Sequence, residues 1–402
     1  MKPQFVQWGA GNIGRSFIGQ VFAKNGYGVT FIDIDTTLIQ ALNDTSSYVV
    51  QFVSGSAMKE LDIEGVCALD ASDQEKVDEA IAQADLMGVS VGKNVWPHIA
   101  RSLALAIVAR HKQKPGNPLD IILAENIHHA SHFVSSLLLP HLPADFPFAT
   151  YVGLVETSIG KMVPIQEKGD PLTLRSEPYN ELIVDKDGFL LPIPTITDLY
   201  PVTPIEAYVD RKLFIHNLGH ATAAYFGYNK HPEKPLIAEV LEDPEVALSV
   251  RKTMIQSSEV LLQLYPTVFS RTDLTAHIDD LLSRFSNMAL GDTIFRVGRD
   301  LARKLRYDDR LMGIIIEAQN MHTSWDHIGR AYLAALSFTA LDTDEAMFEP
   351  DKKLLASLEG LSLQDALYSV SGWKDSDLSI ELFETIADEF NRIFNQGLST
   401  QR

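Results

Sequence analysis

Lys212, Asn217 and His220 lie within "VDRKLFIHNLGHATAAYFGY", residues 209–228. An amine, a carboxamide and an imidazole are a sufficient set for moving a proton to or from a hydroxyl and holding the oxygen that remains. An α-helix advances by about 100° per residue. With Lys212 at zero, Asn217 falls near ~140° and His220 near ~80°, so the three share one face. Alcohol oxidation by a nicotinamide cofactor needs such a base, and a lysine serves once desolvation and a nicotinamide cation lower its pKa toward neutrality. No metal is then required. Each residue also has a plain structural reading. Lys212 beside Arg211 makes a solvated cation pair, Asn217 caps or faces solvent, and His220 is a satisfied core histidine. His216 shares the Lys212 side and nothing sets it apart. Spacing alone does not choose.

The other end of the chain supplies a partner for that chemistry. "GAGNIG" places Gly9, Gly11 and Gly14 in G-x-G-x-x-G spacing, with Asn12 and Ile13 inside the turn. The motif follows a predicted strand ("QFVQW", 4–8) and opens a predicted helix ("RSFIGQVFAKNG"), and Asp33 ends the next strand ("GVTFIDID", 28–35). Gly9 permits the tight turn, Gly11 leaves room for a pyrophosphate against backbone, and Gly14 allows close helix–strand packing. The helix start offers free N–H groups to phosphates. Asp33 would accept hydrogen bonds from ribose hydroxyls and repel a 2′-phosphate, so NAD is expected over NADP. Asp35, past the strand end, is the weaker candidate.

Length and composition set the frame. At 402 residues two domains are the natural expectation, and 46% hydrophobic with 22% charged residues is ordinary for a soluble chain. Thirty-four Lys and Arg against 53 Asp and Glu give a net charge of −19, which repels nucleic acid and anionic membranes. An anionic substrate would need a local basic pocket. Cys67 is the single cysteine, which rules out an intrachain disulfide and a thiolate metal cluster. The start "MKPQFVQWGAG" lacks a signal-peptide pattern, and no apolar run approaches the ~20 residues of a bilayer span. A cytoplasmic protein is expected.

Further strand candidates are "YVVQFV" (48–53), "LMGVSV" (86–91), "DIILAEN" (120–126) and "YVGLVE" (151–156), with helical patterns between them such as "NVWPHIARSLALAIVARHK" (94–112). That alternation predicts an α/β architecture: a Rossmann-type dinucleotide-binding domain with a mostly parallel sheet covered on both faces. "SEPYNELIVDKDGFLLPIP" (176–194) reads as a hairpin across Asp187-Gly188. Beyond residue 205 helical periodicity dominates, "RVGRDLARKL" included. We therefore expect an NAD-binding domain over 1–195 and a mostly helical substrate and catalytic domain over 196–402.

Lys, four residues, Asn, two residues, His is the hallmark that this chain shares with the polyol-specific long-chain dehydrogenase/reductase (mannitol dehydrogenase) family, which it resembles. The form "N-x-G-H-A" is more similar to the sugar-phosphate branch than to the mannitol 2-dehydrogenase or hexuronate reductase branches, where Ser or Thr tends to precede the His. "WGAGNIGRSFIG", "AENIHHA" (124–130) and "LLSRFSNMALGDTIFRVGRDLARKLRYDDRL" (281–311) extend the likeness over residues 1 to about 340. The last 60 residues look like a divergent helical cap. The resemblance implies Lys212 as general base in oxidation and acid in reduction, Asn217 and Asn126 as the oxyanion-binding pair, and His220 as an orienting group. Asn126 also ends a predicted strand, at the edge where α/β sheets bind ligands. The implied reaction is the NAD-dependent interconversion of D-mannitol 1-phosphate and D-fructose 6-phosphate. The alternative is a related enzyme of a free polyol, a pentitol phosphate or a hexuronate such as tagaturonate or fructuronate. A monomer or weak dimer is implied, with a small sugar phosphate or polyol as its only partner. His128, His129 and His132 in "HHASH" lack an evident carboxylate partner, and no metal site is expected. One departure stands out: Gly160-Lys161 occupies the place of an Asp-Arg pair, which puts the substrate in question. Lys161, Arg175, Arg211, Arg296 and Arg299 are the cations available for a phosphate.

Overall fold

Strands buried on both faces need apolar residues at every position, and such runs build the sheet of this computed structural model, which describes residues 2–55, 57–164, 166 and 169–399. Two units divide the chain, Met1–Val209 and Asp210–Arg402. The first carries eleven strands among its described residues: β1 (Gln4–Trp8), β2 (Gly28–Asp33), β3 (Ser47–Ser54), β4 (Ala57–Glu64), β5 (Val66–Asp70) and β6 (Leu86–Val89). They continue as β7 (Leu119–Leu123), β8 (Val152–Ser158), β9 (Thr173–Ser176), β10 (Leu182–Asp185) and β11 (Leu199–Val202). The main sheet runs β11-β10-β8-β7-β6-β1-β2-β5. From β8 to β5 every pairing is parallel.

Successive residues serve opposite faces. Phe5, Phe31 and Ile122 join a core with Phe17, Phe22 and Leu42, whereas Val6, Ile32, Ile121 and Leu123 join another with Val77, Ile81, Leu103 and Ile107. Each fully buried side chain of this kind contributes roughly 1.5–3 kcal/mol. The strand order reverses between β1 and β6, the two strands whose carboxyl ends carry Gly9 and Ser90.

Two expectations are corrected. "YVVQFV" lies in β3, but that strand belongs to a separate three-stranded sheet, β4-β3-β9. Its antiparallel partner β4 is largely exposed and polar, a pattern that does not announce itself as a strand. The predicted hairpin across Asp187-Gly188 is absent. β10 pairs antiparallel with β8, and its other neighbour is the parallel β11. The chain after Gly188 is held instead by the buried Asp120 carboxylate, which accepts from Leu190 and Leu191 N–H at 2.9 and 3.1 Å. Pro192 and Pro194 then deny that segment ladder donors.

The second unit is helical. The longest helix among its described residues, Pro244–Leu264, packs beside Leu218–Lys230. Gly219, Ala223 and Gly227 recur every four residues on the latter; a side-chain carbon at Gly219 would meet Met254 at 2.6 Å, and one at Gly227 would meet Val240 at 2.5 Å. Small residues thus set the close approach. "RVGRDLARKL" is two short helices, Ile294–Gly298 and Leu301–Lys304, rather than one. Asp300 between them adopts φ 73°, and the buried Asp351 carboxylate takes the Asp300 and Leu301 N–H groups at 2.8 and 2.7 Å. The described part of the last 60 residues joins this core: Phe390 of helix Ile380–Ser399 packs on Trp325 at 5.0 Å and Tyr332 at 5.3 Å. Among the described residues no helix is long and apolar enough to cross a membrane.

Candidate functional site

The glycine turn is fixed by its own backbone. Gly9 has φ 94°, and its N–H donates to Ile32 O at 2.8 Å, tying the turn to β2. A Cβ at Gly9 would lie 2.5 Å from Ser90 O, and one at Gly14 would lie 1.9 Å from Gly9 O. Both positions therefore exclude any side chain on packing grounds alone. Gly11 differs: a Cβ there meets nothing within 4 Å. The protein itself gives no steric reason for glycine at this position, whereas a ligand lying against the backbone would. Asn12 and Ile13 lead into the helical run that continues through Gly14–Gly19 and Gln20–Lys24. The buried Arg15 braces the turn, its Nε donating to Ala10 O at 2.6 Å.

Asp33 and Asp35 separate cleanly. Asp33 accepts from Ala10 N–H at 2.6 Å and from Ile34 N–H at 2.7 Å, which places its carboxylate against the turn with lone pairs to spare. Asp35 is the N-cap of helix Thr36–Thr45, accepting from Thr37 and Leu38 N–H at 3.0 and 3.1 Å. Asp35→Ala is accordingly expected to cost about 1 kcal/mol of stability in denaturant titration while leaving the preference between NAD and NADP unchanged.

Asn126 follows β7 at the same carboxyl edge and is exposed. Its neighbour Glu125, which sequence reasoning passed over, is buried and accepts from Val91 N–H (2.8 Å), Gly92 N–H (3.0 Å) and Trp96 Nε1 (3.0 Å). This carboxylate ties the loop after β6 to the loop after β7. Burial raises its pKa, against the lowering by those three donors.

In the second unit the Lys212 segment departs from α geometry. Lys212–Asn217 is a wide i→i+5 turn set between helices Ile205–Arg211 and Leu218–Lys230, with Leu218 N–H reaching back to Leu213 O. The wider turn brings Lys212 and Asn217, five residues apart, closer in angle than the ~140° that α spacing predicts. The widened turn alters the carbonyl partners. Ser257 Oγ donates to Phe214 O at 2.5 Å, and the buried Arg310 donates to Asn217 O at 3.4 Å. Lys212 is partly covered. Desolvation, then the Arg310 charge, draws its pKa down from 10.5 to about 8.

His220 lies flat on Phe285, ring centroids 4.6 Å apart and planes within 6°. Its Nε2 is 3.3 Å from Oδ2 of the buried Asp292, which also forms an ion pair with Arg296. Phe285, Asp292 and Arg310 escaped sequence reasoning because each is more than 60 residues from its partner. His216 is buried, and desolvation followed by Arg284 holds it well below the ordinary imidazole range.

The candidate cations have different fates. Lys161 is buried and donates to Glu177 O (2.9 Å), Tyr179 O (2.7 Å) and Asn180 Oδ1 (2.6 Å), so its role is internal. Arg299 lies between the rings of Phe295 and Phe348, 5.3 Å from each, and Arg211 lies 5.7 Å over Phe269.

A parallel sheet with a glycine turn at its reversal point marks a dinucleotide-dependent dehydrogenase, and one helical stretch of the second unit carries an amine of lowered pKa, a carboxamide and an imidazole. The chain belongs to the mannitol dehydrogenase family: the family's Rossmann-domain model matches residues 3–197 and its C-terminal-domain model residues 204–375. The match thus runs past residue 340, where the resemblance read from sequence stopped. Mannitol-1-phosphate 5-dehydrogenase of Enterococcus faecalis is 31% identical over 92% of this chain and 94% of its own. The Lacticaseibacillus casei enzyme of the same name is 33% identical over 94% and 97%. Among solved structures, a substrate-free D-sorbitol dehydrogenase shares the fold with a TM-score of 0.78 at 15% identity, covering 99% of this chain and 94% of its own. Pseudomonas fluorescens mannitol 2-dehydrogenase, in a ternary complex with NAD and D-mannitol, does so with a TM-score of 0.68 at 14% identity, covering 98% and 95%.

Proposed function

We propose that this NAD-dependent oxidoreductase interconverts D-mannitol 1-phosphate and D-fructose 6-phosphate, with Lys212 as the proton-transfer group and no metal. The observation that carries the proposal is the Lys212 amine, brought to about 8 on the turn that also bears Asn217. Relatives of that activity matching more than 90% of the chain support this choice of substrate. Residues 1–195 take the cofactor-binding role, with Gly9, Gly11, Asn12, Ile13 and Gly14 against the pyrophosphate and Asp33 on the ribose; residues 196–402 take the substrate. The uncrowded Gly11 and the spare acceptors of Asp33 fit such a dinucleotide.

NAD supplies the hydride acceptor at its nicotinamide ring. In oxidation, neutral Lys212 takes the hydroxyl proton, while the carboxamide N–H groups of Asn217 and Asn126 donate to the oxygen as charge builds on it. In reduction, the ammonium returns that proton. His220 orients the sugar. The protein works as a monomer or weak dimer in the cytoplasm, in keeping with its lone cysteine and acidic charge.

The deciding assay is NADH absorbance with fructose 6-phosphate, fructose, a pentulose phosphate, tagaturonate and fructuronate. Fructose 6-phosphate is expected to give the highest kcat/KM. A preference for free fructose or a hexuronate would move the enzyme to another branch of the family.

The Lys212 pKa also sets a pH dependence. A depressed lysine pKa means that the neutral, proton-accepting form accumulates as pH rises through about 8. Polyol oxidation should climb about tenfold per pH unit below that value and level off above it, while ketose reduction falls above it. Oxidation that stays flat from pH 6 to 9 removes Lys212 as the base.

A further inference from the structure

We infer that Arg299 recognises the phosphate of the substrate, its guanidinium donating to two oxygens of a phosphate monoester, so that this residue selects a phosphorylated ketose over a free one. The inference rests on the dehydrogenase reading above for its substrate, and on side chains of the second unit for the rest.

In a chain with a net charge of −19, a phosphate needs a cation that no carboxylate already holds. Lys161 donates to internal acceptors, and Arg296 is ion-paired with Asp292. Arg299 is exposed, and among the described residues no carboxylate pairs with it. The adjacent Asp300 is paired with Arg303 at 2.6 Å, and the Asp351 carboxylate takes the Asp300 and Leu301 N–H groups. What Arg299 touches instead is aromatic: its guanidinium carbon lies 5.3 Å from the ring centres of both Phe295 and Phe348. Ring contact steadies the cation and uses none of its N–H donors. Those donors form a rigid fork that fits a phosphate bidentately.

The backbone beneath the cation is fixed as well. Arg299 ends helix Ile294–Gly298, and its N–H donates to Phe295 O at 3.0 Å. The carbonyls that a helix end leaves over are taken: Lys304 Nζ donates to Val297 O at 2.6 Å and to Arg299 O, and Tyr225 Oη donates to Gly298 O at 3.2 Å. Tyr225 belongs to helix Leu218–Lys230, five residues after His220. The anchor of Arg299 is thus on the helix that carries the imidazole of the proposed site. A second link runs through Asp292, whose Oδ2 lies 3.3 Å from His220 Nε2 and which pairs with Arg296. Burial, and then the nearby Arg299 charge, lowers the Arg296 pKa. In fructose 6-phosphate the phosphate and the carbonyl stand toward opposite ends of the carbon chain. A cation tied to the His220 helix, yet several residues removed from Lys212, suits that separation.

The test compares phosphorylated and free substrate with the full-length protein and NADH. R299Q should lower kcat/KM for fructose 6-phosphate about 10- to 100-fold, the loss expected for charge-assisted hydrogen bonds, and mostly through KM. For fructose the same variant should change kcat/KM less than about twofold, since the lost contact is to phosphate alone. R299K keeps the charge without the fork, so its value should fall between R299Q and the parent. R330Q, which removes another exposed arginine, should leave both substrates unchanged. Equal losses with both ketoses, or no loss with either, overturn the inference. A binding measurement separates it from the proposed function. The phosphorus-31 line of inorganic phosphate should broaden with the parent protein and not with R299Q. If no ketose is turned over, the dehydrogenase reading fails and this line still decides: broadening that is absent from the parent, or that survives in R299Q, removes Arg299 as the phosphate contact.

Discussion

Lys212→Met is expected to lower kcat for both directions by about 10³-fold, within the range for removing a general acid–base group, while NADH still binds. Methionine preserves the unbranched stem that lines the partly covered position and removes only the amine, so packing is retained. The proposed cofactor cradle, Gly9 to Gly14 with Asp33, lies in the Met1–Val209 unit and should be unaffected, which fluorescence titration with NADH will check. The variant's residual oxidation should also lose the inflection near pH 8, since the group drawn to about 8 is gone. Added primary amines of small size should restore part of the rate. A variant that keeps kcat/KM within threefold of the parent would remove the lysine from the chemistry, whatever the substrate proves to be.

Local pattern was enough for the elements whose information is local. The glycine turn, its strand and Asp33 sit within 30 residues of one another, and each is where period and spacing predict. The choice of Asp33 over Asp35 rests on strand-end position, and the Asp35 carboxylate is engaged in capping its helix. Long-range compensation was not legible. The hairpin reading of 176–194 failed because Asp120, some 70 residues away, takes the N–H groups that a second strand would have used. The i→i+5 turn was invisible because its extra residue is stabilised by Ser257 and Arg310, on other helices. Asp292 and Glu125 were likewise ordinary acids until packing showed what each one holds. The Lys212, Asn217 and His220 spacing was visible in the sequence, whereas the environment that lowers the amine was not.

Two single-carbon substitutions in the glycine turn should fail in opposite ways. Gly14→Ala puts a methyl group 1.9 Å from the Gly9 carbonyl oxygen, and Gly9 is anchored to β2 by its own N–H, so backbone must move. We expect a loss of about 3 kcal/mol or more in unfolding of the Met1–Val209 unit, the upper end for overpacking. Gly11→Ala adds the same methyl group where nothing lies within 4 Å, and its backbone is not in the left-handed region. The fold should therefore tolerate it, with a melting temperature within about 1 °C of the parent, since surface changes away from special features stay within ±0.5 kcal/mol. Affinity for NADH should nevertheless fall at least tenfold, because the methyl group occupies the space where the pyrophosphate approaches the backbone. The contrast separates a glycine required by the protein from one required by its ligand. If Gly11→Ala binds NADH as tightly as the parent, the phosphates do not lie on this turn, and the placement of the cofactor must be redrawn.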